Sequence, residues 1–583
     1  MAQSNASAQL HSPGSFRSPM ASRIRRLLPF LDWPRFTPET VRADLVAGIT
    51  VALVAVPQSL AYAQLAGVPP QYGLYASVVP AILGALLGSS LVLATGPVAM
   101  TSLLTAASVG ALVPAGTDQF YAYVTLLALL SGLFQLGFGV ARAGLLLSLV
   151  SHPVLMGFIN AAALIIAMAQ LPGLLGISVR QSEHLLADTW SVLTRMDTLH
   201  AWSLGFGLSA IAMFLAFRKF APRLPGVLIT VAILIGVSEF SGFAAHGGRI
   251  VGSIRAGLPG MGVPALEWSA ITALLPAAFV IALISFMEAM SSSKAIAIKT
   301  RVRWDENQEL VGQGIAKIAA AFCQSMPVSG SFSRSALNLA AGARTGLSSL
   351  VTAACVLLTL LFFTPLLYHL PKPVLAAVIM LAVFSLLDLD AFRRSWRASR
   401  EDGVAATATF VATLAFAPNI QNGILTGIII SLAAYVYGRM RPRIEARTVP
   451  GEREANDTPT GAPTTQAQIA TLRFDAALYF ANVSFFEETV LSLERGNPDL
   501  RYIVIIANGI NQLDASGVEM LRNLTLHLAR SGIALVLSDV KPQVRDVAER
   551  TGLLAVLGPE NIYPTAALAI ESLRLRRTFA AEG

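Results

Sequence analysis

The chain has 583 residues, of which 54% are hydrophobic and only 13% are charged, with a net charge of +8. Soluble domains carry about 25% charged residues, so a purely soluble globular protein is excluded. The basic residues sit between apolar runs and near the chain ends, which fits membrane topology and anionic lipid and excludes a nucleic-acid role.

Residues 1–40 read as a cytoplasmic tail. Arg23, Arg25 and Arg26 are followed by Pro29 and Pro34, with no apolar core leading to a cleavage site. A membrane domain is expected over 41–440. Its apolar runs fall at about 44–64, 72–90, 97–111, 119–141, 145–171, 201–218, 224–241, 271–297, 309–325, 331–341, 346–367, 373–388, 403–417 and 421–439. The third, opening at Gly96-Pro97, and the tenth, opening at Ser329-Gly330, are too short to cross about 30 Å as simple helices. They hold the same place in each set of seven, which is how a transport site built from an inverted repeat reads in sequence.

Basic residues set the orientation. With the N-terminus inside, the inside loops hold Arg142, then Arg218, Lys219 and Arg223, then Lys294, Lys299, Arg301 and Arg303. Arg344 follows, then Arg393, Arg394, Arg397 and Arg400, then Arg439, Arg441 and Arg443. The longer outside loops keep only Arg180, Arg195, Arg249 and Arg255. The alternation predicts fourteen spans with both termini cytoplasmic, in an inner or plasma membrane.

Two charges inside the apolar runs call for a function. Arg334 lies in Met326-Pro-Val-Ser-Gly-Ser-Phe-Ser-Arg-Ser-Ala336, where a charge costs roughly 2.5–3.5 kcal/mol on insertion scales. Small residues there let backbone N–H groups face a cavity, the pattern of an anion site at the start of a broken helix. A short loop is the plain alternative. Arg334 would be the only formal positive charge of such a site. Glu288, in Ser285-Phe-Met-Glu-Ala-Met290, is the only acid of the eighth run. A buried carboxyl is placed to take up and release a proton, and a structural pair with Arg334 is the competing reading. Met287, Ala289 and Met290 are poor sodium ligands, which favours protons. Cys323 and Cys355 lack CxxC spacing and read as buried packing, without a disulfide or metal site.

A polar Pro/Thr/Gly-rich linker is expected over 441–465 and an α/β domain over 466–578. Ile469–Tyr479, Arg501–Ala507 and Ile533–Asp539 read as strands and Val518–Arg530 as a helix. Asp514-Ala-Ser-Gly517 opens that helix, with the acid and the serine both placed as caps.

Several long motifs then converge. They are Val56-Pro57-Gln58-Ser59-Leu60-Ala61-Tyr62-Ala63, Gly67-Val68-Pro69-Pro70-Gln71-Tyr72-Gly73, Ala94-Thr95-Gly96-Pro97-Val98-Ala99, the Arg334 stretch and Leu513-Asp514-Ala515-Ser516-Gly517. Together they resemble the sulfate permease (SulP) family over about residues 30 to 575. The resemblance implies a seven-plus-seven inverted repeat, with a core domain (spans 1–4 and 8–11) moving against a gate domain (spans 5–7 and 12–14). It also implies a cytoplasmic STAS domain and a homodimer. By motif position, Gln58, Tyr62, Val98, Ser333 and Arg334 match substrate-pocket positions, and Glu288 matches an acid linked to proton or cation coupling. Gln58 and Tyr62 also suit simple capping and packing, and Val98 simple packing. Ser516 matches a serine phosphorylated in related soluble domains, with helix capping as the alternative role.

The expected function is proton-coupled uptake of an inorganic oxyanion, sulfate first, by an elevator-type movement. Bicarbonate or a C4-dicarboxylate on the same scaffold is the alternative, and a membrane-anchored STAS signalling module a more distant one. An enzyme finds little support, with no nucleophile–base set or phosphate loop in the sequence, and no cofactor is expected.

Overall fold

The structure is a computed structural model that describes residues 28–144, 151–177, 190–192, 194–221, 224–384, 386–417, 419–449 and 468–581. Arg23, Arg25, Arg26, Arg180 and Arg223 lie outside these residues, as do the start of the fifth run and most of the expected linker.

Each of the fourteen apolar runs contains helix. Among the described residues, nine helices are long and apolar enough to cross a membrane. The remaining runs give shorter helices: Ala99–Gly110, Gly226–Phe240, Glu306–Phe322, Phe332–Ala340 and Arg400–Ala415. The second run is divided into Pro70–Tyr75 and Val79–Leu87, because Pro80 has no N–H to offer the Ala76 carbonyl. The eleventh begins as an α-helix over Leu347–Leu358 and continues through a π turn over Thr359–Phe363 into a 3-10 turn over Thr364–Leu367. An unexpected helix, Leu389–Ala398, occupies the basic stretch between the twelfth and thirteenth spans. It is capped by Asp388, whose carboxylate accepts the Ala391 N–H at 3.0 Å and faces Arg394 at 2.5 Å. Leu389 and Trp396 are exposed beside its arginines, the composition of a helix lying in a membrane interface.

Helix packing is symmetric between the two sets of seven. The first span packs on the eleventh as the eighth packs on the fourth; the fourth packs on the ninth as the eleventh packs on the second. Likewise the fifth packs on the thirteenth as the twelfth packs on the sixth. Contacts of second with ninth, third with tenth and fifth with twelfth map onto themselves. This is a seven-plus-seven inverted repeat. Spans 1–4 and 8–11 form one group and spans 5, 6, 7, 12 and 13 another, with the first and third spans touching the fifth, seventh and twelfth. The fourteenth joins the second group through Ser431, whose hydroxyl meets that of Ser151 at 3.0 Å.

Small residues permit the closest packing, as expected where lipid offers helices no hydrophobic drive to associate. A Cβ on Gly314 of the ninth span would lie 2.6 Å from the Leu136 backbone nitrogen of the fourth. Two buried acids tie loop ends to helices. Asp44 accepts from the Arg344 and Thr345 N–H groups at 2.7 and 3.1 Å, and Glu309 from those of Ser89 and Ser90 at 2.9 Å each.

The chain divides into two compact units, Met1–Ser431 and Leu432–Gly583. The second holds a five-stranded sheet in the order β3 (Ile444–Val449), β4 (Ile469–Phe474), β5 (Tyr502–Ile506), β6 (Ala534–Ser538), β7 (Ile562–Tyr563). β3 is antiparallel to β4 and the other pairs are parallel. β3 lies inside the stretch expected to be linker. β4 ends at Phe474, short of the expected Tyr479, because the chain turns away and Leu478 instead bridges to Leu513. One sheet face packs Phe474, Ile503, Ile505 and Leu537 against helix Ala515–Arg530, and the other packs Val504 and Val536 against Ala569 and Leu573.

Candidate functional site

The third and tenth spans meet through a two-stranded ribbon, β1 (Ala94–Gly96) with β2 (Ser329–Ser331), paired antiparallel as Ala94↔Ser331, Thr95↔Gly330 and Gly96↔Ser329. Each strand runs into a helix, so the antiparallel pairing leads Ala99–Gly110 and Phe332–Ala340 away from opposite ends of the ribbon, with their N-termini at it. Those N-termini carry partial positive charge and unsatisfied N–H groups. Val98 is the N-cap of the first and has no side chain to cap it with, so its leading N–H groups remain open to a ligand.

Arg334 lies in the first turn of the second half-helix and is only 2% exposed. Its backbone N–H donates to Ser331 Oγ at 3.3 Å, and its Nη2 reaches across to the Pro97 carbonyl at 2.9 Å. The guanidinium thereby bridges both half-helix starts. Its Nε–H is buried without a partner among the described residues, a donor held ready for an acceptor. The approach depends on Gly96, where a Cβ would lie 2.9 Å from Nη2. Gly96→Ala is therefore expected to displace the guanidinium and weaken anion binding by about tenfold, since overpacking of this kind costs roughly 1–3 kcal/mol. Equilibrium binding of labelled sulfate, alongside a thermal melt, checks this; native affinity would mean that the ribbon does not position Arg334.

Gln58 and Tyr62 lie one turn apart on the first span, just after Pro57, and both are buried. Gln58 Oε1 has no hydrogen-bond partner among the described residues, and Tyr62 is within electrostatic reach of Arg334 and Glu288. Ser333 differs from these. It is exposed, with its hydroxyl 3.5 Å from that of Ser331, whereas neighbouring Ser335 is buried and accepts the Ala94 N–H at 2.8 Å.

Glu288, on the eighth span, faces Ser329, Lys317 and Arg334. Among the described residues its Oε2 has no hydrogen-bond partner and no ion pair joins it to Arg334. Lys317, on the ninth span, was not singled out from sequence, and it is a second cation beside Glu288. It is fully buried, donates to Gln135 Oε1 at 2.5 Å, and forms a short hydrogen bond to Ser285 Oγ. Ser329 Oγ donates to the Ser285 carbonyl at 3.1 Å, tying this network to the ribbon. The only sequence signal was a lone lysine in Gly314-Ile-Ala-Lys-Ile-Ala-Ala-Ala-Phe322, among residues otherwise suited to a packed helix.

In the second unit Asp514 caps helix Ala515–Arg530, accepting the Gly517 N–H at 2.8 Å and, through its other oxygen, the Phe480 N–H at 2.9 Å. The cap is the acid's alone. Ser516 is exposed in the first turn and takes no part in it, which corrects the expectation of a shared cap.

The model of the sulfate permease family matches residues 41–409, and that of the STAS domain residues 462–569. The chain belongs to the sulfate permease family. It is thus a multi-pass membrane transporter with a C-terminal STAS domain, and not an enzyme. Chloroplastic sulfate transporter 4.1 of Arabidopsis thaliana is 32% identical over 560 residues, covering 92% of this chain and 81% of that protein. A probable sulfate transporter of Mycobacterium tuberculosis is 32% identical over 541 residues, covering 92% and 96%. In structure, the inward-facing murine Slc26a9 anion transporter superposes with a TM-score of 0.86 over 97% of each chain at 21% identity. The transmembrane domain of the cyanobacterial bicarbonate transporter BicA gives 0.57 at 24% identity, over 68% of this chain and 99% of that one. At these identities the two structures speak for the fold alone.

Proposed function

We propose that this family member takes up an inorganic oxyanion, sulfate foremost, together with protons, by an elevator-type movement of the core group against the gate group. It works as a homodimer in the inner or plasma membrane with both termini in the cytoplasm. The observation that carries the reading is the buried Arg334 guanidinium, with an unpartnered Nε–H, between two opposed half-helix N-termini. Such a site attracts an anion by a fixed charge and two helix dipoles, without needing a mobile counter-ion. Gln58 and Tyr62 line it from the first span and Val98 shapes its wall, while Ser333 becomes a ligand only when substrate draws its hydroxyl inward.

Sulfate is favoured by the names of the relatives that match nearly the whole chain. Protons are favoured over sodium by Lys317: the Gln135 and Ser285 oxygens that a sodium ion would use beside Glu288 already accept from its ammonium group. Competition for labelled sulfate uptake into proteoliposomes by unlabelled sulfate, bicarbonate and succinate tests the substrate. Sulfate is expected to compete best; stronger competition by bicarbonate or succinate would replace it.

The STAS domain acts on rate and not on substrate recognition, since every proposed pocket residue precedes it. Because β3 belongs to its sheet, a clean deletion starts after Met440. That deletion is expected to leave sulfate affinity unchanged and to lower turnover or membrane abundance. Ser516→Asp adds charge at an exposed helix N-terminus, where it is tolerated and even stabilising by about 0.3–1 kcal/mol. A changed turnover at native affinity supports regulation through Ser516; normal transport rates in both variants would remove the domain from transport altogether.

A further inference from the structure

At the end of the core group that carries Lys299, Arg301 and Arg303, a cavity of about 220 Å³ opens between the end of the second span, the last turns of the eighth and the Arg344 loop. Ser90, Ser293, Trp304, Arg303 and Arg344 line it, with Ile296 as an apolar wall. Three of its lining residues each carry a buried polar atom, Ser90 Oγ, Ser293 Oγ and Trp304 Nε1, with no hydrogen-bond partner among the described residues. Ser90 is 9% exposed and Ser293 1%. An orphaned buried polar group costs about 1–3 kcal/mol, so three around one cavity point to a bound group that satisfies them.

The donor set fixes the sign of that group. An indole N–H only donates, and a serine hydroxyl turns to donate when an acceptor is offered. Among the described residues no carboxylate lines the cavity. The buried acids around it are already engaged: Glu309 by the Ser89 and Ser90 N–H groups and by Gln313, and Asp44 by the Arg344 and Thr345 N–H groups and the Thr345 hydroxyl; Asp305 caps Asn307 and Gln308. Arg344 stands 4.0 Å from Glu39, a loose pair between two largely exposed side chains, and Arg303 has no ion pair among the described residues. The volume falls below the 300–1,000 Å³ typical of sites for drug-sized ligands, which limits the guest to a compact group.

We propose that this cavity binds a phosphate- or sulfate-type oxyanion, either free or as an anionic lipid headgroup, at a site distinct from Arg334. The two serine hydroxyls and the Trp304 N–H donate to its oxygens, and Arg303 and Arg344 balance its charge.

The test uses the full-length protein carrying Arg334→Ala, so that the ribbon site does not mask the signal. Delipidated protein is titrated with labelled inorganic phosphate. In parallel, protein in mixed phosphatidylglycerol and phosphatidylcholine nanodiscs is analysed by native mass spectrometry for retained lipid. Saturable phosphate binding that weakens about tenfold on adding Arg303→Gln, or Ser293→Ala with Trp304→Phe, supports a free oxyanion. Retention of phosphatidylglycerol that the same substitutions abolish supports a headgroup. Arg303 is exposed, so its substitution leaves the fold intact. Phosphate binding and lipid retention that are both absent, or both unaffected by Arg303→Gln, would overturn the proposal.

Discussion

Arg334→Ala is expected to weaken sulfate binding by roughly 100-fold or more while the protein still folds and assembles. Truncating a buried, hydrogen-bonded charge at a binding site costs about 2–5 kcal/mol, and each 1.4 kcal/mol is a factor of ten. The fold should survive because the guanidinium makes a single cross-element hydrogen bond, to Pro97, whereas the ribbon pairing and the Ser335 contact to Ala94 remain. Arg334→Lys is expected to recover little, since an ammonium group lacks the planar fork that reaches Pro97 with one nitrogen and offers another to the anion. Lys317 remains in both variants, but it is occupied by Gln135 and Ser285 and does not substitute. Isothermal titration with sulfate, paired with size-exclusion profiles, reads both halves. Native affinity in Arg334→Ala would remove the ribbon from the binding site.

Glu288→Gln separates binding from coupling. The amide keeps the shape of the side chain and cannot carry the proton, so uphill accumulation driven by pH is expected to collapse to the level set by the sulfate gradient itself. Exchange of labelled for unlabelled sulfate across the same membranes should continue, because the two half-helices and Arg334 are untouched. A purely structural role makes the opposite pattern: impaired stability with accumulation per folded molecule unchanged. Uptake with an imposed pH gradient, normalised to folded protein and set beside exchange, distinguishes the two.

Much of the architecture was legible because its signals are local. Gly96-Pro97 and the small residues around Gly330 interrupt the apolar pattern within a few positions, and a lone arginine amid them is conspicuous. The half-helices therefore stood out in sequence, and the symmetric packing of the two sets of seven follows from the same repeat. What was hidden depends on partners far along the chain. Lys317 looks like an ordinary polar residue on a mixed helix until Gln135, from 182 residues earlier, closes over it. The second span breaks at a single proline that a hydropathy count ignores. Helix Leu389–Ala398 was concealed by its arginines, although Leu389, Phe392 and Trp396 recur at helical spacing. β3 carries Glu445 and Arg447 as an edge strand can, and only its pairing with β4 marks it as sheet. At the site itself, motif position placed Ser333 beside Arg334 but could not tell that Ser335 is the serine turned into the ribbon.

Labelled sulfate uptake into proteoliposomes, with an acidic exterior and no sodium, tests proton-coupled oxyanion transport most directly. The expected result is transient accumulation above the external concentration that a protonophore abolishes and an added sodium gradient does not change. Sulfate that merely equilibrates under the pH gradient, or accumulates only when sodium is supplied, would contradict it.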